Sequence, residues 1–180
     1  MLEGKSVNLK IVEKEDLPQL LEWLNTPEFF GQYDMLLQIP KAEAEKAYES
    51  PNKPKDYFIQ KKDGTKVGFI RSWEVLPTHP DWMGLEFGYA VVPGERRKGY
   101  CSEAVNLLLD FAFLSSTVFR IQARTDVRNV GSQRVLEKTG FKKEGIIRKG
   151  YFSRGELRDS FIYSILRDEW KEPSILTKSP

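Results

Sequence analysis

Gly84-Leu85-Glu86-Phe87-Gly88-Tyr89-Ala90-Val91-Val92 followed by Pro93-Gly94-Glu95-Arg96-Arg97-Lys98-Gly99-Tyr100-Cys101-Ser102-Glu103-Ala104 reads as a strand, a short basic loop and a helix start, and this unit decides the architecture. In the strand, Leu85, Phe87, Tyr89 and Val91 share one face by the two-residue period, and Gly84, Glu86, Gly88, Ala90 and Val92 share the other. Pro93-Gly94 ends the strand. The segment Gly99–Leu114 is so apolar along its length that it predicts a largely buried helix. A helix start carries unpaired backbone N–H groups and the positive end of the macrodipole, and both favour a phosphate. Gly99 lets the backbone approach a ligand closely, and Arg96, Arg97 and Lys98 add attraction for a polyanion. On physics alone, an ordinary basic loop capping a helix fits the same residues. There is no G-x-x-x-x-G-K-[ST] and no G-x-G-x-x-G after a strand, so nucleotide hydrolysis and dinucleotide binding fit poorly.

Outward from this unit, Ser6–Val12 alternates Val7, Leu9 and Ile11 with polar residues and predicts a half-buried strand. Asp16 stands at an N-cap position, Pro18 falls in the first turn, and Leu17, Leu20, Leu21 and Leu24 follow at helical spacing up to Thr26-Pro27. Pro40 opens a second helix that runs to about Tyr48 and closes at Ser50-Pro51. Between these helices, Phe29–Ile39 is irregular and apolar, suited either to covering a pocket or to packing on the core. Tyr57–Lys61 and Lys66–Val75 predict a hairpin around Lys62-Asp63-Gly64-Thr65, with Asp-Gly as a two-residue turn. Val118–Thr125 reads as a strand, and Asn129–Thr139 as a helix closed by Gly140. Phe141–Arg148 and Leu157–Leu166 read as a last strand pair around Arg154-Gly155. The order β-α-α-β-β-β-α-β-α-β-β predicts an α/β fold: a mixed, mostly antiparallel central sheet with helices on both faces. Residues 1–171 are expected to form a single domain, with 172–180 as a tail.

Bulk composition excludes several classes. Among 180 residues, 28 Lys+Arg against 26 Asp+Glu leave a net charge of +2, which argues against a general nucleic-acid binder. A single Cys excludes an intrachain disulfide, and a single His disfavours a His-rich metal site, so no metal is expected. Charges at the N-terminus where a signal peptide needs an apolar run, and the lack of a long apolar stretch, lead to the expectation of a soluble cytoplasmic protein without membrane contact.

Arg96-x-x-Gly99-x-Cys101 resembles the Q/R-x-x-G-x-G/A signature of the GCN5-related N-acetyltransferase (GNAT) superfamily. The wider string Arg96–Ala104 resembles the form found in its RimJ/RimL branch. Asn129-Val130-Gly131-Ser132 and Leu136-Glu137-Lys138-Thr139-Gly140-Phe141 resemble that branch's N-x-x-S and E-K-x-G-F segments. Glu144-Gly145, Arg148, Asp159 and Tyr163 match its closing pattern, so the resemblance covers roughly residues 6–170. It implies the acyl-CoA N-acyltransferase fold, in which two neighbouring strands, here Gly84–Val92 and Val118–Thr125, splay around the pantetheine arm of acetyl-CoA. The cosubstrate would be held by Val91, Val92, Arg96, Arg97, Lys98, Gly99, Tyr100, Cys101, Ser102, Asn129 and Ser132. Cys101 stands where Gly or Ala is usual, and Arg97 where Gly is usual. Cys101 reads as a small buried residue rather than a catalytic thiol.

Acetyl transfer to an amine needs a neutral nitrogen, while a Lys side chain near pKa 10.4 is almost wholly protonated at neutral pH and an α-amine near 8 is about one-tenth neutral. A proton acceptor is therefore required, and a proton donor to the leaving thiolate helps. Glu86, among small residues on its strand face, is the candidate base; a surface ion pair is its other reading. Many superfamily members place a Tyr four residues after the Ser132 position as general acid, but Leu136 stands here. Ser132 is then the candidate acid, with a backbone-bonded helix Ser as its other reading. Asn129 shares a helix face with Ser132 and also suits a cap. His79 reads as a solvated loop residue, and Trp73, Trp82 and Tyr151 as pocket, core or rim. The expected function is acetyl-CoA-dependent N-acetylation of a primary amine. The amine is either a protein N-terminal α-amine, as on a ribosomal protein, or a small molecule, and a homodimer remains open. The alternative is a non-catalytic acyl-CoA-binding sensor.

Overall fold

The alternating and helical apolar patterns resolve, in a computed structural model, into one eight-stranded sheet flanked by helices; the structure describes residues 1–50, 55–75, 83–171 and 173. The strands are β1 (Leu2–Glu3), β2 (Val7–Ile11), β3 (Lys55–Lys61), β4 (Lys66–Val75), β5 (Met83–Val91), β6 (Val118–Asp126), β7 (Lys142–Ser153) and β8 (Glu156–Leu166). The helices are α1 (Leu17–Leu24), the single turn α2 (Pro27–Phe30), α3 (Lys41–Glu49), α4 (Tyr100–Ser115) and α5 (Val130–Lys138). The strand order is β1-β2-β3-β4-β5-β6-β8-β7, antiparallel throughout except for the parallel pair β5–β6. That exception follows from connectivity, since α4 carries the chain back over the sheet between the two strands.

Each sheet face has its own core. On one face, α4 buries Val105, Leu108, Leu109 and Phe113 against Ile59, Phe87, Ile121 and Tyr163. On the other, Leu17, Leu20 and Leu24 of α1 pack with Phe29 on Phe58 and Phe69. Trp23 stacks on Phe29 with ring centroids 5.1 Å apart. Arg167 closes the last turn of α4 by donating to the carbonyl oxygens of Phe113, Ser116 and Val118, which satisfies the free C=O groups there.

Several local expectations change. Asp16 stands at the N-cap of α1, but its side chain makes no cap hydrogen bond; the carboxylate accepts instead from Lys66 Nζ at 2.7 Å, from Lys10 Nζ and from the Glu13 amide. Two cations offer more than one helix amide, and they tie the helix entry to the sheet. Within Phe29–Ile39, Phe29 and Phe30 belong to α2, and Gly31–Tyr33 forms a 3-10 turn. At the β3–β4 turn only Gly64 has positive φ, and the register shifts at Ile59/Gln60. The connection is therefore a four-residue turn with a bulge and not the two-residue Asp-Gly type. The Arg154-Gly155 turn does have both residues at positive φ, the geometry that matches strand twist. Apart from residue 173, the expected tail lies outside the described residues.

Candidate active site

The pairing of β5 with β6 runs from Met83/Val118 to Glu86/Gln122. Beyond that point β5 continues to Val91 paired with β4, and β6 continues to Asp126 paired with β8. The two strands separate there, and the groove between them is walled by backbone edges. Strand edges of this kind offer N–H and C=O groups to an extended ligand that carries amides.

At the β5 end of the groove, the chain makes a 3-10 turn at Pro93–Glu95 and enters α4. Arg97 has φ 65° and Gly99, the N-cap, φ 86°. The first amide of the helix ladder is Glu103, which donates to Gly99 O at 3.1 Å. The N–H groups of Tyr100, Cys101 and Ser102 precede that ladder and point out of the helix start. Lys98 pairs with Glu95 at 2.8 Å, while the Arg96 guanidinium is turned back from the loop. It donates to Val91 O at 3.1 Å and Phe29 O at 2.6 Å, which ties α2 to the end of β5.

Glu86 lies on the face its alternation predicts, but that face is not empty around it. The carboxylate is 4% exposed and accepts from Arg124 Nε at 2.8 Å, Arg124 Nη2 at 3.1 Å and Gln122 Nε2 at 2.7 Å. Gln122 and Arg124 reach it because they share its sheet face on the parallel neighbour. Trp73, directly across β4 from Glu86, lies against Gly88.

On the opposite side of the groove, Asn129 caps α5 by accepting from the Ser132 amide at 3.1 Å. Ser132 Oγ lies 3.0 Å from the Tyr89 hydroxyl. Leu136 is fully buried in the core with the α4 side chains and supplies no hydroxyl. Burial pushes the Cys101 thiol up to about 12, against the lowering influence of Arg96, which keeps it a neutral thiol packed on the α4 core. Tyr163 bonds Glu137 and joins β8 to α5, and Asp159 accepts from the amide of Lys149, whose φ is positive. These resemblance-bearing positions hold elements together.

Residues 31–34 are clamped to the β7–β8 hairpin. Arg154 donates to Gly31 O, Arg158 to Gln32 O, Tyr151 to Tyr33 O and Ser153 to Asp34 O. The single Tyr151 hydroxyl hydrogen is shared between Tyr33 O at 3.1 Å and the closer Asp126 Oδ2 at 2.6 Å, and Arg128 pairs with the same carboxylate at 2.9 Å. Burial alone would raise the Asp126 carboxyl, but these hydrogen bonds hold it down at about 2. A carboxyl depressed in the folded state contributes stability above its unfolded value and loses it as pH falls through the folded one. The fold is therefore expected to lose on the order of 2 kcal/mol between about pH 4 and pH 2 from this group. Urea midpoints across that range should fall less steeply in Asp126→Asn than in the wild type; parallel slopes would remove Asp126 as the cause. His79 and Trp82 lie outside the described residues. Among the described residues there is no metal-binding cluster of His, Cys, Asp and Glu, and no helix is long and apolar enough to cross a membrane.

A family model described as an acetyltransferase (GNAT) domain matches residues 7–142. The chain belongs to the GNAT acetyltransferase family. A probable N-acetyltransferase of Bacillus subtilis, YjcK, is 28% identical to this GNAT domain over 180 residues, covering 94% of this chain and 98% of its own. Among solved structures, a GNAT-family acetyltransferase from Bacillus anthracis superposes with a TM-score of 0.76 at 22% identity, covering 93% of this chain and 98% of that one. A spermidine N-acetyltransferase from Vibrio cholerae, in complex with CoA and spermine, superposes with a TM-score of 0.79 at 21% identity, covering 91% and 97%. The GNAT domain described here is an N-acetyltransferase.

Proposed function

We propose that this N-acetyltransferase takes its acetyl group from acetyl-CoA and passes it to a primary amine by direct attack on the thioester. The observation that carries the reading is the parting of β5 and β6 after Glu86/Gln122, with the free amides of the α4 start at its mouth. An extended pantetheine arm suits the strand edges, and a pyrophosphate suits the N–H groups of Tyr100, Cys101 and Ser102. Beside them a depression of about 370 Å³ is lined by Lys5, Lys98 and Lys138 against the one carboxylate of Glu103, an excess of positive charge that suits the remaining phosphate. Glu86 is the candidate proton acceptor for the amine and Ser132 the candidate donor to the leaving thiolate.

For the acceptor, the motifs at 96–104 and 129–141 favour the RimJ/RimL-like branch, hence a protein N-terminal α-amine or a small amine. Relatives named as spermidine N-acetyltransferases add polyamines to the small-amine side. The test is turnover of the purified chain with acetyl-CoA and a panel of N-terminal peptides, spermidine and aminoglycosides, followed by free-thiol release. Release that depends on one amine class establishes the activity and names the acceptor. Tight coenzyme A binding with no release for any amine would turn the assignment to a sensor.

The folded-back guanidinium of Arg96 separates two cations that are neighbours in sequence. Arg96→Ala removes two hydrogen bonds from a charged donor, each worth about 1.5–3 kcal/mol when well formed, and the exposure of this side chain reduces that. The variant is expected to lower the melting temperature by a few degrees and change coenzyme A affinity by less than about 3-fold. Arg97→Ala should do the reverse. Calorimetry on both variants checks this, and a larger affinity loss from Arg96 would refute the separation.

A further inference from the structure

We infer that Tyr89 is a positioning residue for the reaction: its hydroxyl holds Ser132 Oγ so that the serine's own hydrogen is directed into the groove between β5 and β6. The inference rests on the acetyl-CoA reading above. Tyr89 lies on β5 three positions past Glu86, the last residue paired with β6, so it belongs to the strand segment that walls the groove. Ser132 stands one turn into α5 on the other side, and the 3.0 Å contact of the two hydroxyls joins the walls.

The hydrogen assignment goes with the nearer acceptor. Tyr89 has one proton and two acceptors within reach, Ser132 Oγ at 3.0 Å and Ser132 O at 3.3 Å. The carbonyl is the more distant of the two and lies inside α5, where the residue four positions on donates to it. In this arrangement the tyrosine proton goes to the nearer oxygen, Ser132 Oγ at 3.0 Å, which leaves the serine hydrogen to rotate away from Tyr89. A hydroxyl held on one side and free on the other is a directed donor, whereas an isolated serine on a helix folds back onto a nearby backbone carbonyl. Burial pushes the Tyr89 phenol well above its ordinary value, with the Ser132 hydrogen bond acting in the opposite direction. Tyr89 thus keeps its proton while the serine exchanges its own.

The step balances without a further reagent. After the ammonium has given one proton to Glu86, the neutral amine nitrogen bonds to the thioester carbonyl carbon, and the C–S bond breaks with its electron pair going to sulfur. Ser132 Oγ–H gives its proton to that sulfur. Ser132 takes a proton in return from the new N–H⁺, while Tyr89 remains a phenol throughout. Leu136, which supplies no hydroxyl, is buried on the core side of the same helix.

The test compares Tyr89→Phe, Ser132→Ala and the double variant in steady-state turnover, with the acceptor found in the panel. Tyr89→Phe keeps the ring that packs beside Phe87 and removes one hydrogen bond, so the expected effect is about a 10-fold lower kcat. KM for acetyl-CoA should change by less than about 3-fold. Ser132→Ala is expected to lower kcat by about 100-fold, and the double variant should be no slower than Ser132→Ala alone, because Tyr89 acts through the serine. The solvent deuterium isotope effect on kcat should shrink in Tyr89→Phe, which a purely structural tyrosine would not cause. Multiplying effects in the double variant, or an unchanged kcat with a lower melting temperature, would overturn the inference. Tighter coenzyme A binding by Tyr89→Phe at unchanged kcat would make the contact a latch across an empty groove and overturn it too. A wild-type protein that binds coenzyme A and acetylates nothing would defeat the acetyltransfer reading itself and this inference with it.

Discussion

Gly99→Val is expected to weaken coenzyme A binding by about 100-fold, which equals about 2.8 kcal/mol, while leaving the fold nearly as stable as before. The two halves of this expectation come from different observations. A Cβ built at Gly99 meets no atom within 4 Å, so the side chain itself has space. The backbone is the obstacle, because φ is 86°, a region that costs an L-residue about 1–2 kcal/mol and a β-branched one more. Valine relieves that strain by rotating to negative φ, and the rotation re-aims the amides of Tyr100 and Cys101. Charge-assisted hydrogen bonds are worth about 1.5–3 kcal/mol each, so re-aiming one or two accounts for the loss. Isothermal titration with coenzyme A reads the affinity, and thermal unfolding reads the fold. Undiminished affinity would remove the α4 start from the phosphate site.

Glu86→Gln is expected to lower kcat by about 100-fold at pH 7 and by clearly less at pH 9. The asymmetry comes from the acceptor: an α-amine is about one-tenth neutral at pH 7 and about nine-tenths neutral at pH 9, so a proton acceptor matters less at the higher pH. The geometry offers a rival outcome. Both Glu86 oxygens accept from Arg124 or Gln122, and glutamine keeps the shape while leaving Arg124 without its counter-charge. If that pair serves only to fix the floor of the site, the loss would be equal at both pH values. Initial rates of wild type and variant from pH 6.5 to 9.5 decide between the two.

The strand–loop–helix around Gly99, the Asn129 cap, the Gly140 helix end and the Arg154-Gly155 turn were all legible, because each depends on residues adjacent in sequence. Features made by distant residues were not. Tyr89 alternates with Phe87 and Val91 and so reads as one more core aromatic; its partner is 43 positions away on a helix. The missing hydroxyl at position 136 was the available signal that another hydroxyl would be needed. Arg96, Arg97 and Lys98 look equivalent in a row, yet Arg96 is drawn away by the carbonyl of Phe29, 67 positions upstream. The two-residue period of β5 puts Glu86 on the correct face. It could not show that the register Glu86↔Gln122 brings an arginine from the next strand onto the same spot.

The clamp on residues 31–34 also bears on how the protein is made. Its bonds join positions 118 to 126 apart in the chain, so they form only after a long loop has closed. Synthesis runs from the N-terminus, and residues 31–34 wait for more than a hundred further residues before their partners on the β7–β8 hairpin exist. The β5–α4 loop and β6 emerge well before Tyr151, Ser153, Arg154 and Arg158. A nascent chain stopped short of the β7–β8 turn would carry the complete β5–α4 unit but none of the four hairpin donors that hold residues 31–34.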